Sequence, residues 1–450
     1  MLDIPALFKA CNPALPLSYS NQQERQYYID FATVRGSNHI RELKRTIALL
    51  TQERTCQLFT GHVGCGKSTE LRRLKAELED QGFYVVYFES SEFLDMSDVD
   101  VTDVLLAIAH QVSARLEADH IRVKPDYFVR LFQEIGDILQ TPMEFTGVDF
   151  SVGISRITAR TKDSPKLRSQ LRQFMEPRTN GILNAINTEL LGQATTELQQ
   201  RGKVGLVVII DNLDRIDARQ LAIGRTQPEY LFIDRGDQLS KLNCHLVYTI
   251  PLALIYSNEN ETLRQRFGGG IAPKVLPMIP VRQRSGQPFS EGIHLLRHMI
   301  LVRAFPDVEP ARRLDFTPHL FDSLDTLDRL CLVSGGHVRN LLGLVRNCIQ
   351  QSDPPFSRAI VDQVIRGQRD TLARAIDDEE WQLIRQVVRQ QNVTGDVEYQ
   401  TLLRSMFVFE YQDDQGTWFG INPVLAETTK YRLGQNAADQ GTARTQPEEV

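Results

Sequence analysis

Residues 61–68 read Gly-His-Val-Gly-Cys-Gly-Lys-Ser, which fits the pattern G-x-x-x-x-G-K-[ST]. The residues before them, Cys56–Thr60, are predicted to form a short strand, and Leu71, Leu74 and Leu78 recur at helical spacing after them. A strand, a glycine-rich loop and a helix in this order surround a phosphate with backbone N–H groups and the positive end of the helix. The segment therefore predicts a phosphate-binding loop, or P-loop, within an α/β fold.

The residue types in the loop have separate chemical roles. Glycines allow consecutive N–H groups to curl around a phosphate without Cβ clashes. Lys67 can reach the β and γ phosphates of a nucleoside triphosphate, and the Ser68 hydroxyl can coordinate Mg²⁺. We expect the loop and the residue after it to hold the nucleotide: Gly61, His62, Val63, Gly64, Cys65, Gly66, Lys67, Ser68 and Thr69.

A second apolar strand ends in a carboxylate. Val204–Ile210 is followed by Asp211, as expected of a Walker B strand that holds Mg²⁺ from its carboxyl end. The next residue, Asn212, is an amide and cannot act as a general base. Asp214 is the nearest carboxylate that could polarise the attacking water. The alternative role for Asp214 is a helix cap or a salt bridge with Arg215.

Further apolar runs complete a predicted sheet. Tyr84–Phe88 and His245–Ile250 give strong strand signals, and Lys274–Val281 gives a weaker one. Runs that are apolar on both faces are typical of parallel strands covered by helices. The predicted fold class is therefore α/β, a three-layer P-loop core with a parallel sheet, followed by a helical lid and a C-terminal winged helix.

The length of the chain predicts several domains, because 450 residues exceed what one hydrophobic core supports. Two helices, around Trp381–Val388 and Tyr399–Leu403, precede two alternating segments joined by an Asp/Gly turn, which predicts a winged helix. The predicted domains are an N-terminal arm at 1–35 packed on the next domain, a P-loop ATPase domain at 36–284 with an insertion at about 121–201, a helical lid at 285–375, a winged-helix-like domain at 376–433 and a disordered tail at 434–450.

Composition excludes several classes of protein. Hydrophobic residues make up 42% and charged residues 24%, which excludes a mainly disordered or fibrous chain. The net charge of -6 argues against electrostatic binding of nucleic acid by the protein as a whole. The longest uncharged apolar stretch, Cys244–Tyr256, is too short to span a membrane, and no secretory signal precedes the arm. Six cysteines without CxxC spacing are typical of reduced thiols, so we expect a cytoplasmic protein.

The segment Asp211–Arg215, Asp-Asn-Leu-Asp-Arg, carries a resemblance to known proteins. Together with the P-loop and one further strand, it resembles the additional-strand division of P-loop ATPases, which includes the AAA+ and STAND families. The resemblance covers about residues 35–433. The segment is similar to the DDLDR of KAP-type NTPases and the DGLDE of NACHT-type STAND proteins. It departs from AAA+ proteins, which usually have Glu where Asn212 stands, and no membrane segments like those of KAP proteins separate the two motifs.

The resemblance implies roles for three later residues. Thr249 stands where a sensor 1 residue would read the γ-phosphate. Arg266, at the end of the next predicted helix, resembles an arginine finger offered to a neighbouring subunit. Arg339, in the segment Ser334–Leu342, resembles the sensor 2 residue at the start of a lid helix in initiator-type AAA+ ATPases. A cap or packing role is the alternative for each.

The sequence is compatible with several functions. The first is an ATP-binding and ATP-hydrolysing switch of AAA+/STAND type that uses Mg²⁺, forms a homo-oligomer on binding ATP and acts with a protein partner. The alternative is a DNA-associated ATPase of the kind found among replication initiators or transposition regulators.

Basic residues that could contact DNA are few in the predicted winged helix. Its predicted recognition helix, 398–405, offers only Arg404 as a cation. The basic run Arg156–Arg172 is therefore the better candidate for contact with an acidic partner, and its alternative role is a solvated face. Two further hypotheses are a small-molecule kinase and a nucleotide-binding scaffold without turnover.

Overall fold

The computed structural model describes residues 2–51, 53–121, 123, 126–138 and 164–433. It contains two compact units. The sheet unit comprises His39–Thr60 and Glu70–Val275, and the loop-and-lid unit comprises Met1–Asn38, Gly61–Thr69 and Leu276–Val450. Part of the predicted insertion, with its basic residues Arg156, Arg160 and Lys162, and the tail predicted at 434–450 lie outside the described residues. The domain boundaries stay a prediction.

The sheet unit is built on five parallel strands. They are β1 (Cys56–Thr60), β2 (Tyr84–Glu89), β3 (Leu206–Asp211), β4 (His245–Thr249) and β5 (Lys274–Val275). Their order is β2-β3-β4-β1-β5, and all neighbouring pairs are parallel. The parallel α/β core predicted from the apolar runs is therefore confirmed. The prediction of a strand over Lys274–Val281 is too long, because Pro277 and Pro280 have no N–H to donate to a ladder.

Helices pack against this sheet, and every residue of its central strands β3 and β4 is buried, as expected of strands covered on both faces. The longest of these helices, Val101–Ala118, begins at a capping box in which Asp100 and Asp103 satisfy each other's backbone N–H groups. The helices that lie wholly in the sheet unit are His39–Leu49, Ser90–Phe93, Val101–Ala118, Asp126–Ile138, Pro165–Met175, Thr179–Ala185, Gly192–Gln200, Gln227–Glu229, Gly236–Leu239 and Asn260–Gly268.

The described part of the basic run is paired with carboxylates. Arg168 forms an ion pair with Asp95, and Arg172 donates to Asp98 at 2.8 Å and to Asp103 at 3.3 Å. These contacts tie helix Pro165–Met175 to the loop that precedes helix Val101–Ala118. They favour a structural, charge-neutralised face over a phosphate-binding one for these two arginines.

Helices dominate the loop-and-lid unit. Its main helices are Ile4–Ala10, Ser290–Ala304, Leu324–Ser334, Val338–Gln351 and Arg358–Ala373. Leu7 and Cys11 of the N-terminal arm are buried in the same hydrophobic cluster as the later helices. The buried Arg303 guanidinium donates to the carbonyl oxygens of Ala10 and Tyr27, which fixes the arm against helix Ser290–Ala304. This part of the arm thus packs on the predicted lid.

Two helices and a hairpin end the loop-and-lid unit's described chain. Helices Asp378–Gln390 and Val397–Arg404 precede the antiparallel strands β6 (Val408–Asp413) and β7 (Gly416–Ile421), and the short helix Pro423–Ala426 follows. The predicted order of two helices and a hairpin is therefore present, while its identity as a winged helix stays a prediction. Across the described residues, no helix is long and apolar enough to cross a lipid bilayer.

Candidate functional site

The P-loop has the backbone conformation that its glycines predict. Strand β1 ends at Thr60, the loop follows, and helix Lys67–Asp80 begins at its lysine. Gly64 and Gly66 have φ values of +88° and +111°, a region that residues with a Cβ rarely adopt. A Cβ on Gly64 would also lie 2.8 Å from the His337 Nε2 atom. The strand, loop and helix are confirmed, and glycine is required at Gly64 by both conformation and space.

Lys67 is buried inside its own loop. The side chain is 5% exposed, and its ammonium group donates to the carbonyl oxygens of Gly61 at 2.7 Å and of His62 at 2.9 Å. Both acceptors belong to the loop. A phosphate bound by Lys67 would therefore compete with main-chain oxygens for the same ammonium protons.

His337 and Arg339 contact the P-loop from the start of helix Val338–Gln351. The Nε2 atom of His337 lies 2.8 Å from the Val63 carbonyl oxygen, and its Nδ1 atom accepts from the Asn340 N–H at 3.1 Å. These partners require the neutral tautomer that carries its proton on Nε2. The Arg339 backbone N–H donates to the Gly64 carbonyl oxygen at 3.2 Å.

Strand β6 contacts the loop through His62. The His62 Nε2 atom accepts from the Glu410 backbone N–H at 3.0 Å, and the two residues are both buried. The His62 ring also meets Phe409 edge to face at 5.7 Å. Burial lowers the pKa of His62 to about 3 and that of His337 to about 4, so both rings are neutral at pH 7.

Two arginines of the loop-and-lid unit meet main-chain oxygens. Arg339, the predicted sensor 2 residue, lies at the predicted helix start, and its Nε atom donates to the Pro13 carbonyl oxygen at 3.2 Å. Arg35 is 3% exposed and donates to the Cys65 carbonyl oxygen at 2.7 Å, a loop contact that sequence reasoning missed. A lone arginine in an irregular arm carries no pattern from which this contact could be predicted.

Asp211 ends strand β3 in the sheet unit as a buried carboxylate. Its Oδ2 atom accepts from the Tyr87 hydroxyl at 2.8 Å, and its Oδ1 atom accepts from the Asn212 N–H at 2.7 Å. Burial, and then the Asp211 charge, raise the pKa of Tyr87 far above its usual range, so the phenol keeps its proton and donates. An oxygen ligand held in this way fits a hard cation such as Mg²⁺.

Asn212 faces the end of strand β2. It adopts a left-handed conformation, with φ of 65°, and its Nδ2 atom donates to the Glu89 Oε2 atom at 2.7 Å. The other oxygen of Glu89 accepts from Arg72 at 2.8 Å. Glu89 pairs with Asp211 in the strand register, so the two carboxylates end neighbouring strands. Sequence reasoning missed Glu89, because the apolar run that marks the strand stops at Phe88.

The other predicted site residues of the sheet unit have structural partners. The fully buried Thr249 hydroxyl accepts from the Leu213 N–H at 3.0 Å and donates to the Ile210 carbonyl oxygen at 3.3 Å, which fixes the turn after β3. Asp214 lies in that turn, in the 3₁₀ helix Leu213–Arg215. Arg266 is in the last turn of helix Asn260–Gly268, and one of its amino groups, Nη1, lies 3.3 Å from the Asp234 carbonyl oxygen. Their roles towards a nucleotide stay predictions.

The sheet order defines the class of fold. Strand β4 lies between β1, which leads into the P-loop, and β3, which ends in Asp211. One strand is thus inserted between the two motif-bearing strands, which is the arrangement that the resemblance to additional-strand P-loop ATPases predicts. The chain has the fold of a P-loop ATPase of this division, while the STAND-type and KAP-type details stay predictions.

Comparison with known proteins gives structural neighbours only. The chain matches no protein-family model and no curated protein sequence. The Walker-type ATPase PABY2304 of Pyrococcus abyssi is similar over 93% of this chain and 98% of that one, with 12% identity and a TM-score of 0.44. The ORC2 protein of Aeropyrum pernix, solved in ADPNP-ADP complexes, covers 97% of this chain and 98% of its own, with 10% identity and a TM-score of 0.39. The A. pernix ORC1 protein in complex with DNA is similar over 99% of this chain and 98% of its own, with 13% identity and a TM-score of 0.35.

Proposed function

We propose that this protein binds ATP with Mg²⁺ and hydrolyses it to drive a change of conformation or assembly. The observation that carries the proposal is the segment Gly61–Ser68, which follows a parallel strand, opens a helix and has glycines at positive φ. Backbone N–H groups in such a loop and the helix N-terminus are suited to bind phosphate oxygens.

Four side chains have the chemistry for distinct tasks at the proposed site. The Lys67 ammonium would bind β and γ phosphate oxygens in place of the loop carbonyls it now contacts. Ser68 and Asp211 would hold Mg²⁺, which neutralises phosphate charge when bound. Thr249 would keep the turn after Asp211 in place through its two hydrogen bonds.

Titration calorimetry with Mg-ATP tests the binding proposal. Wild type should bind, and Lys67→Ala should lose binding because it removes the ammonium that would bind the β and γ phosphate oxygens. Lys75→Ala is a matched control on the same helix, since Lys75 makes a surface pair with Glu79 at 3.5 Å. Retained affinity in Lys67→Ala, or no heat with folded wild type, would overturn the proposal.

The proposed conformational change involves the loop-and-lid unit, because the P-loop contacts the start of helix Val338–Gln351 and strand β6 within that unit. We propose that binding ATP alters these contacts and promotes a homo-oligomer that acts with a protein partner, with Arg266 and Arg339 as the residues that respond to nucleotide. Particle mass with and without ATP tests this. An unchanged mass and an unchanged protease digestion pattern would contradict it.

The DNA-associated alternative is weaker on the described residues. Arg168 and Arg172 are paired with aspartates, and helix Val397–Arg404 presents Arg404 as its cation. ATP turnover that rises with added DNA and falls steeply with salt would favour this alternative over a protein-directed switch.

A further inference from the structure

The carboxyl edge of the sheet holds two carboxylates, and only one of them belongs to the sequence motif. Asp211 ends β3 and Glu89 ends β2, opposite each other in the parallel register. Ligands of open α/β sheets bind outside the carboxyl ends of the strands. Both carboxylates therefore lie at the edge of the sheet where such ligands bind, but the residue after Asp211 is an amide.

The amide and Glu89 form one unit. The Asn212 Nδ2 atom donates to Glu89 Oε2 at 2.7 Å, and it also lies 3.3 Å from the Ser91 hydroxyl. Asn212 has φ of 65°, a conformation that Asn tolerates better than Glu does, so the backbone here favours the amide. The carboxylate is supplied by the neighbouring strand instead.

Glu89 is held but accessible. Its side chain is 21% exposed, with Arg72 at 2.8 Å from one oxygen and Asn212 at 2.7 Å from the other. Each carboxylate oxygen has two acceptor positions, so both retain one for a water molecule. Arg72 also lies over the Tyr87 ring, 5.6 Å from its centre, and Tyr87 donates to Asp211. Arg72 and Tyr87 thus link the carboxylate of Glu89 to that of Asp211.

We propose that Glu89 is the general base of ATP hydrolysis and that Asn212 is the residue that positions it. This rests on the proposed function. Glu89 accepts a proton from water as the water oxygen bonds to the γ-phosphorus. The bond from that phosphorus to the β–γ bridging oxygen breaks, and the electron pair leaves with ADP. Inorganic phosphate forms, and the proton passes from Glu89 to phosphate or solvent.

The test compares Glu89→Gln with wild type and with Glu92→Gln, an exposed carboxylate three residues away. Glu89→Gln should bind Mg-ATP as tightly as wild type in calorimetry and should lose turnover by about 10²- to 10⁴-fold, the usual contribution of a general base. Nucleotide recovered from the variant after incubation should be intact ATP, whereas wild type should yield ADP. Glu92→Gln should keep both affinity and turnover.

A second variant covers the case in which Glu89→Gln does not fold, as judged by thermal unfolding. Asn212→Gly removes the amide donor and tolerates the positive φ, so it leaves Glu89 present but unpositioned. It should bind ATP and hydrolyse it more slowly, with kcat lowered and KM little changed. Wild-type kcat in Asn212→Gly would overturn the positioning role.

The outcomes separate this inference from the proposed function. Wild-type turnover in a folded Glu89→Gln variant would overturn the inference alone, and lost turnover in Asp214→Asn at the same time would return the base to Asp214. Wild type that binds ATP without any turnover would also overturn it. Wild type that does not bind ATP would overturn the proposed function first.

Discussion

The His62 Nε2 atom accepts a hydrogen bond from the backbone N–H of Glu410 at 3.0 Å, although the two residues are 348 positions apart. One belongs to the P-loop and the other to strand β6. The Glu410 carbonyl oxygen also accepts from the Met278 N–H at 2.9 Å. Both backbone groups of Glu410 therefore form hydrogen bonds with residues outside strand β6. The conformation of the phosphate loop is therefore stabilised partly by a strand that lies far from it in the sequence.

His62→Ala should lower the free energy of unfolding by about 1–3 kcal/mol, because it leaves the buried Glu410 N–H without its acceptor. Chemical denaturation followed by circular dichroism measures the change. His319→Ala is the control, since that histidine is exposed and should shift stability by less than about 0.5 kcal/mol. Equal stability of the two variants would show that the His62 contact contributes nothing.

Acid should destabilise the protein through His337. Burial lowers its pKa to about 4, whereas the unfolded side chain has a pKa of about 6.5. Below pH 6.5 the unfolded state binds a proton that the folded state does not, so stability is complete above pH 6.5 and falls as the pH drops towards 4. A proton on Nδ1 would also displace the Asn340 N–H that this atom now accepts.

His337→Asn should reduce this pH dependence by up to about 1.4 kcal/mol per pH unit between pH 6 and 4.5. Asn is a good N-cap residue and keeps an acceptor for the Asn340 N–H, so the helix start is preserved. Unfolding curves of both proteins at several pH values measure the slope. Parallel slopes would mean that His337 is protonated equally in the folded and unfolded states.

Much of the fold follows from local sequence. The apolar runs of β1, β3 and β4 and the glycine spacing of the loop predict strand, loop and helix, because those signals act within a few residues. The contact between His62 and Glu410 has no such signal, since it depends on how distant segments meet. The strand over Lys274–Val281 is overpredicted because its apolar residues continue past Val275, whereas Pro277 and Pro280 lack the N–H groups that a ladder needs.

The candidate site shows the same division. Lys67, Ser68 and Asp211 can be proposed from the sequence because they belong to motifs, and they lie at the predicted helix start and strand end. Glu89 cannot be proposed in this way, because the apolar run ends at Phe88, while the strand continues to Glu89, which pairs with Asp211. Only the order of the strands brings Asn212 beside Glu89, and that order cannot be read from any one segment.

Asp211→Asn should weaken the binding of Mg²⁺ together with ATP and leave the fold intact. An amide keeps one oxygen, which can accept from Tyr87 or from the Asn212 N–H, but it lacks the charge that holds a divalent cation. Calorimetry with ATP at several Mg²⁺ concentrations should show that the magnesium dependence of affinity is largely lost. Asp217→Asn, an exposed carboxylate in the same segment, should behave as wild type. Unchanged magnesium dependence in Asp211→Asn would place the cation ligand elsewhere.

Arg266→Ala should reduce ATP turnover only in assembled protein. The Arg266 side chain is 32% exposed and lies 3.4 Å from an Asp237 carboxylate oxygen, a partner exposed enough for the guanidinium to leave it for a phosphate. If Arg266 acts on the nucleotide of a neighbouring subunit, its loss slows hydrolysis without changing ATP affinity. Turnover measured across a range of protein concentrations separates this effect from a defect within one subunit.

Mixing the Arg266→Ala and Lys67→Ala variants gives the decisive result. An Arg266→Ala subunit keeps an intact P-loop, and a Lys67→Ala subunit keeps its arginine, so a mixed assembly contains complete sites formed by one of each. Turnover should therefore recover in the mixture. Arg264→Ala, on the same helix, is the control and should keep wild-type turnover without any mixing. A mixture as inactive as its components, with mixed oligomers detected by mass, would exclude Arg266 as a residue acting between subunits.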